Sequence, residues 1–207
     1  ERLQNITLRD LIKGGIGSEA KEFAKQGQNE IELIRKVKHV IGRTDWDKAH
    51  TWAYNNYVTY HHCDETLRAE FYTSRKWDYS QCKKHSIFLS QAWYPLKGAH
   101  QVLKAVATLL EKYPDLVIRI AGNDMTQYAN FKGMIHYTTY AKYLTRLINR
   151  YQLKDRIKFL GPLSIKEMID EYLNCNVFIC PSSIENSPNS LGEAQVLGTP
   201  CIASFAG

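Results

Sequence analysis

A chain of 207 residues, 44% of them hydrophobic, is long enough to bury a proper core. None of its apolar runs approaches the roughly 20 residues that span a bilayer. Lys and Arg number 27 against 21 Asp and Glu, a net charge of +6, but the basic residues are dispersed among acids and no RNP-type motif or arginine stripe accompanies them. That distribution argues against nucleic acid as the partner. Residues 1 to 15 mix charge with short apolar stretches and do not resemble a signal peptide, so the expected location is the cytoplasm, with room for peripheral contact at the inner face of the membrane.

In chain order, Thr7 to about Val37 is helix-prone, interrupted by "KGGIG". "KHVIGR" reads as a strand, "TDWDKAHTWAYN" as a helix opened by Thr44 and Asp47 in capping-box spacing, and "YVTYHH" as an extended piece. Residues 1–85 are short for an independent α/β domain and read as the end of a preceding domain and its linker. A clearer rhythm starts at residue 86. "HSIFLSQ" is a buried strand, and Val102, Leu103, Val106, Leu109, Leu110 and Tyr113 follow at helical spacing. "DLVIRIAG" is the next strand, residues near 137–152 form a helix, and "RIKFLG" is a third strand. "SIKEMIDEYLNC" is a helix capped by Ser164 and Glu167, "NVFICP" a strand, and "PCIAS" a last strand after one more helix. Strands alternating with helices predict an α/β fold: a Rossmann-like, doubly wound parallel sheet over residues 86–207. Such sheets bind ligands outside the carboxyl ends of their strands, so "SQAWYPLKG", "AGNDM", "LGPLS" and "PSSIENS" are expected to line one crevice.

The most informative stretch is "SSIENSPNSLGEAQVLGTP", residues 182–200. Ser187 is expected as N-cap and Pro188 as first helical residue, with the helix ended by Gly198 and Pro200. The amides of Asn189, Ser190 and Leu191 would then form an anion site at the helix start. Glu185 lies before that end and Glu193 after it. Two carboxylates flanking a phosphate-friendly helix end suit a ligand with hydroxyls on either side of a diphosphate, the order found in a sugar nucleotide. Spacing alone means little, since Glu22 and Glu30 also stand eight apart. Gly192, inside the helix, implies close packing or ligand approach. Lys97, before Gly98, places a cation at the same crevice.

At this point the chain resembles a known family. "YPLKGAHQVLKAVATLLEKYPDLVIRIAGND" and "DRIKFLGPLSIKEMIDEYLNCNVFICPSSIENSPNSLGEAQVLGTPCIAS" are similar to the carboxyl-terminal domain of retaining glycosyltransferases of the GT-B fold, family 4. "HVIGRTDWDKA" and "DETLRAEFY" are similar to the end of the acceptor-side domain in bacterial polysaccharide-type members. The resemblance implies transfer of a sugar from a nucleoside diphosphate donor, such as a UDP- or GDP-sugar, to a glycan or lipid-linked acceptor, without a metal. It implies that Lys97 binds the donor diphosphate, Glu185 holds hydroxyls of the transferred sugar and Glu193 those of the ribose. It further assigns the amides of Asn189 and Ser190 to the diphosphate and the backbone of Leu163 to the base. It also implies that the acceptor-binding domain and a glycine-rich loop after "ASFAG" belong to a longer parent, so that these 207 residues alone are expected to be inactive.

Two departures stand out. The family's arginine five or six residues before the lysine is replaced by Ala92 and Gln91, and Pro188 stands where glycine is common. A non-catalytic nucleotide-binding domain is therefore a competing reading, and a nucleic-acid-binding module a third. The cysteines 63, 82, 175, 180 and 201 form no CxxC; Cys175, Cys180 and Cys201, in or beside apolar runs, are expected to pack as small hydrophobes, and the four tryptophans to pack in core and inter-domain contacts.

Overall fold

The computed structural model describes residues 6–13, 16–127 and 137–206. The first helices are α1 (Leu8–Lys13) and α2 (Ile16–Lys36). The expected break at "KGGIG" falls on Gly14 and Gly15, outside the described residues. Strands β1 (His39–Gly42) and β2 (Thr59–His62) pair in parallel across α3 (Asp45–Tyr54), which the expected Thr44 and Asp47 capping box opens.

After α4 (Ala69–Thr73) comes the main sheet, of five parallel strands: β3 (Lys83–Leu89), β4 (Val117–Ile120), β5 (Ile157–Phe159), β6 (Cys175–Cys180) and β7 (Cys201–Ala203). Their spatial order is β5-β4-β3-β6-β7. The chain starts in the middle at β3, winds outward to β5, then returns to build β6 and β7 on the other side. That is the doubly wound arrangement, and its switch point lies between β3 and β6. The connecting helices are α5 (Ala99–Leu109), α6 (Thr139–Arg150), α7 (Ile165–Asn174) and α8 (Asn189–Leu197). Ser164 and Glu167 cap α7 as expected.

Both faces of the sheet are buried, which is why β3 reads as an unbroken apolar run. Ile87 and Leu89 point into a cluster with Val102, Leu103 and Val106 of α5 and Leu144 and Leu147 of α6. Phe88, between them, points the other way, onto Tyr172 and Phe178 with Leu173, Ala194 and Leu197. Phe71 of α4 is fully buried in that second cluster, its ring edge-on to Tyr172 at 6.1 Å. Segment 67–77 thereby packs along α8: the Trp77 amide donates to the Leu197 carbonyl at 2.8 Å and Lys76 Nζ to that of Val196 at 2.9 Å.

Cys175 and Cys180 are buried, as expected, and burial pushes the Cys175 thiol up to about 12. The tryptophans depart from expectation. Trp77 packs, donating to the Cys175 carbonyl at 2.8 Å, but Trp46, Trp52 and Trp93 are exposed. On α3 the indoles meet neighbours one turn away on the same helix: the Trp46 and His50 rings lie 4.1 Å apart, tilted at 36°, and Lys48 Nζ lies 4.8 Å from the Trp52 ring. No helix among the described residues is long and apolar enough to cross a membrane.

Candidate functional site

At the switch point the loops after β3 and β6 touch through their backbones. Gly98 adopts a left-handed conformation (φ 70°), and a Cβ there would sit 2.0 Å from the Pro181 carbonyl oxygen. No other residue fits. The Ser183 amide donates to the Leu96 carbonyl at 2.8 Å, closing the contact. Lys97 ends the 3-10 turn Pro95–Lys97, and its Nζ lies 2.5 Å from Oε1 of Glu185. Both side chains are more than four-fifths buried. The structure thus brings together two of the expected residues as a pair.

The start of α8 differs from expectation. Ser187 has φ 55°, so its hydroxyl does not cap the helix; Pro188 is the N-cap, with extended backbone and no side-chain bond. The helix begins at Asn189. The Leu191 amide, expected to be free, donates to the Pro188 carbonyl at 3.0 Å, as does that of Gly192 at 3.3 Å. The amides of Asn189 and Ser190 have no acceptor among the described residues. Two donors, rather than three, therefore meet the positive end of the helix dipole. At the far end, Gly198 closes the helix in the left-handed conformation, as expected.

Glu193 is buried, 5% exposed, not a surface charge. Arg68 reaches it from upstream of the sheet: Nε and Nη2 both donate to Oε1, at 3.0 and 2.6 Å. The Tyr172 hydroxyl donates to the Ser190 carbonyl at 3.0 Å and stands 3.5 Å from Glu193 Oε2. Burial and the adjacent carboxylate push that phenol well above its ordinary value. Gly192 is explained by packing: a Cβ would meet Leu67 Cδ1 at 3.3 Å. Leu67, Arg68 and Phe71 thus dock on Gly192, Glu193 and Tyr172 in turn.

Two cavities flank the helix start and share Ser90, Gln91, Asn189 and Ser190. One, of about 270 Å³, is lined by Lys97, Glu185 and Arg43. The other, of about 580 Å³, is lined by Glu193, Arg68, Leu163 and Trp93. All four loop segments expected at the crevice contribute to their walls. Ala92 is 1% exposed, with no room there for a longer cation, whereas Gln91 faces both cavities. Among the described residues no cluster of three or more His, Cys, Asp or Glu side chains could hold a metal ion.

Sequence reasoning missed Arg43, Arg68 and Asn186. Arg43 stands at the first cavity, ion-paired with Glu65. Asn186, next to Glu185, accepts from the Thr44 hydroxyl at 2.8 Å and donates to Asp47 at 3.1 Å, tying its loop to the cap of α3. Burial opposes ionisation of Asp47, but bonds from Tyr60, the Arg43 amide, Asn186 and the Thr44 amide outweigh it and hold the carboxyl at about 2. The available signal was faint: in "TLRAEF", the apolar Leu67 and Phe71 stand on either side of Arg68.

Comparison with known proteins matches residues 77–207 to the family described as glycosyl transferases group 1. A D-inositol 3-phosphate glycosyltransferase of Corynebacterium urealyticum is 30% identical over 118 residues, covering 54% of this chain and 25% of its own length. An uncharacterised glycosyltransferase of Bacillus subtilis is 29% identical over 121 residues, covering 58% and 30%. The chain spans about a quarter of the length of the first of these relatives. Among solved structures, S. aureus TarM bound to UDP and alpha-GlcNAc-glycerol superposes with a TM-score of 0.67 at 12% identity, over 88% of this chain and 33% of its own. Anabaena HepE bound to UDP and glucose gives 0.64 at 19%, over 87% and 48%. At these identities the structures bear on the fold, which is that of the GT-B glycosyltransferases.

Proposed function

The chain belongs to the group 1 glycosyl transferases, and from that premise we propose that it carries the donor site of a retaining, family 4 enzyme. The parent moves a sugar from a nucleoside diphosphate to a glycan or lipid-linked acceptor in bacterial surface polysaccharide synthesis, at the cytoplasmic face of the membrane. Residues 1–85 are the end of the acceptor-side domain with its linker, and residues 86–207 the donor domain.

One observation carries this reading: the open amides of Asn189 and Ser190 lie between two cavities, with Glu185 on one side and Glu193 on the other. A diphosphate at the helix end puts its sugar in the smaller cavity and its nucleoside in the larger. Lys97 and the helix dipole then take the charge that develops on the leaving diphosphate. Lys97 and Glu185 neutralise each other without ligand; when the diphosphate engages the ammonium, the Glu185 carboxylate is released to hold sugar hydroxyls. Glu193 accepts from the ribose, and the Leu163 backbone meets the base. No metal has a role in this scheme. The bound UDP of HepE and TarM supports a UDP-type donor for this chain too.

Calorimetric titration of the chain with UDP and GDP tests the donor site. Binding of one, weakened about 10-fold or more by Glu193→Ala, is expected from the loss of a hydrogen bond to a charged group. Binding of neither sinks the proposal. In the full-length parent, Glu185→Ala should abolish sugar transfer while leaving nucleoside diphosphate binding nearly intact.

A further inference from the structure

We propose that Arg68 is a positioning residue that makes Glu193 a reader of the ribose, an inference that rests on the donor reading above. Arg68 lies upstream of the residues that match the family, so nothing in that match assigns it a role. The geometry does. A carboxylate on the first turns of α8, with a side chain only 7% exposed, needs a hydrogen-bonding partner to hold it in one rotamer. Arg68 supplies a planar fork, and both of its contacts fall on the same oxygen, Oε1. Among the described residues the second oxygen has only the distant Tyr172 hydroxyl, at 3.5 Å. A carboxylate offers about four lone-pair sites, so Oε2 keeps its acceptor capacity for a ligand hydroxyl.

The fork is itself fixed. Its guanidinium carbon lies 4.8 Å from the ring of the fully buried Phe71, three residues on. Leu67, just before it, seals against Gly192, the residue before Glu193. Arg68, its side chain 43% exposed, is thus held on one side by the Phe71 ring, and among the described residues the carboxylate it pairs with is that of Glu193. Both residues also line the larger cavity, where Leu163 stands.

The test compares UDP and GDP with their 2′-deoxy and 3′-deoxy analogues, and with inorganic pyrophosphate, on wild type, Arg68→Ala and Arg68→Lys. Wild type should prefer the ribonucleotide by about 10-fold or more over at least one deoxy analogue. Arg68→Ala should bring that ratio close to one and leave pyrophosphate affinity within about 2-fold, because the helix end and Lys97 are untouched. Arg68→Lys, which keeps the charge without the fork, should restore part of the ratio. A thermal melt of each variant establishes that it is folded, and Arg68→Lys carries the comparison should the alanine variant unfold. An unchanged ribose to deoxyribose ratio in the folded variants overturns the role of Arg68 while leaving the donor reading intact. So does an equal loss for nucleotides and pyrophosphate, which would make Arg68 a general phosphate or structural cation. Wild type that binds neither nucleotide overturns the donor reading and this inference with it.

Discussion

The two carboxylates of the crevice are both ion-paired, yet they are held in opposite ways. Glu185 meets a single ammonium, that of Lys97, from the adjacent loop of the same sheet. Glu193 meets a two-pronged guanidinium from a segment 125 residues away in sequence, stacked on a buried ring. A lysine is a point charge on a flexible stem, and a ligand phosphate can draw it off; an arginine fork on one oxygen resists exchange. On the donor reading proposed above, the contrast is a division of labour: the Glu185 side reorganises on binding and the Glu193 side is preformed.

The sharpest way to break this contrast is to remove the clamp. Phe71→Ala should cost about 3–5 kcal/mol in denaturant unfolding, because a fully buried ring leaves a cavity under α8. Arg68→Ala strands a buried carboxylate, and about 2 kcal/mol is expected once its partial exposure is discounted. On the other side, Lys97→Ala should weaken pyrophosphate binding about 10-fold, with a smaller loss of stability than Arg68→Ala. If Lys97→Ala is instead the more damaging to folding, Glu185 is no exchangeable group. Smaller still is Gly192→Ala. In a Leu67→Ala background, where the opposing methyl is gone, the added Cβ should stabilise α8 by about 0.5–1 kcal/mol; with Leu67 present most of that gain should vanish. Last comes pH. Asp47 titrates at about 2 in the fold, below its ordinary 3.8. The tie to Asn186 should therefore be complete above about pH 4 and lost as pH falls toward 2, and melts followed over that window should lose their Asp47 component in Asp47→Asn.

What could be read from sequence was what is local. The boxes at Thr44 and Ser164 were legible because cap and partner stand three residues apart, and the sheet because its strands are continuous apolar runs. The start of α8 was misread. Ser187 has the right chemistry for a cap, but its positive φ turns the hydroxyl away and passes the N-cap position to Pro188. The burial of Glu193 was invisible for a different reason, since it depends on Arg68, and only the folded chain brings that residue across. Ala92 was noted as a missing charge; the fold gives a steric reason for it, the core lying directly beneath.

Gly98 has one further consequence. Because its Cα rests against the Pro181 carbonyl, the gauge of the crevice at the switch point is set by main chain against main chain, with no side chain interposed. Substitutions along the walls can retune which ligand is preferred, but the interval between the main chain at residue 97 and the helix end at residue 189 stays constant. A single methyl at Gly98 would prise that interval open, and so act on every ligand of the site at once.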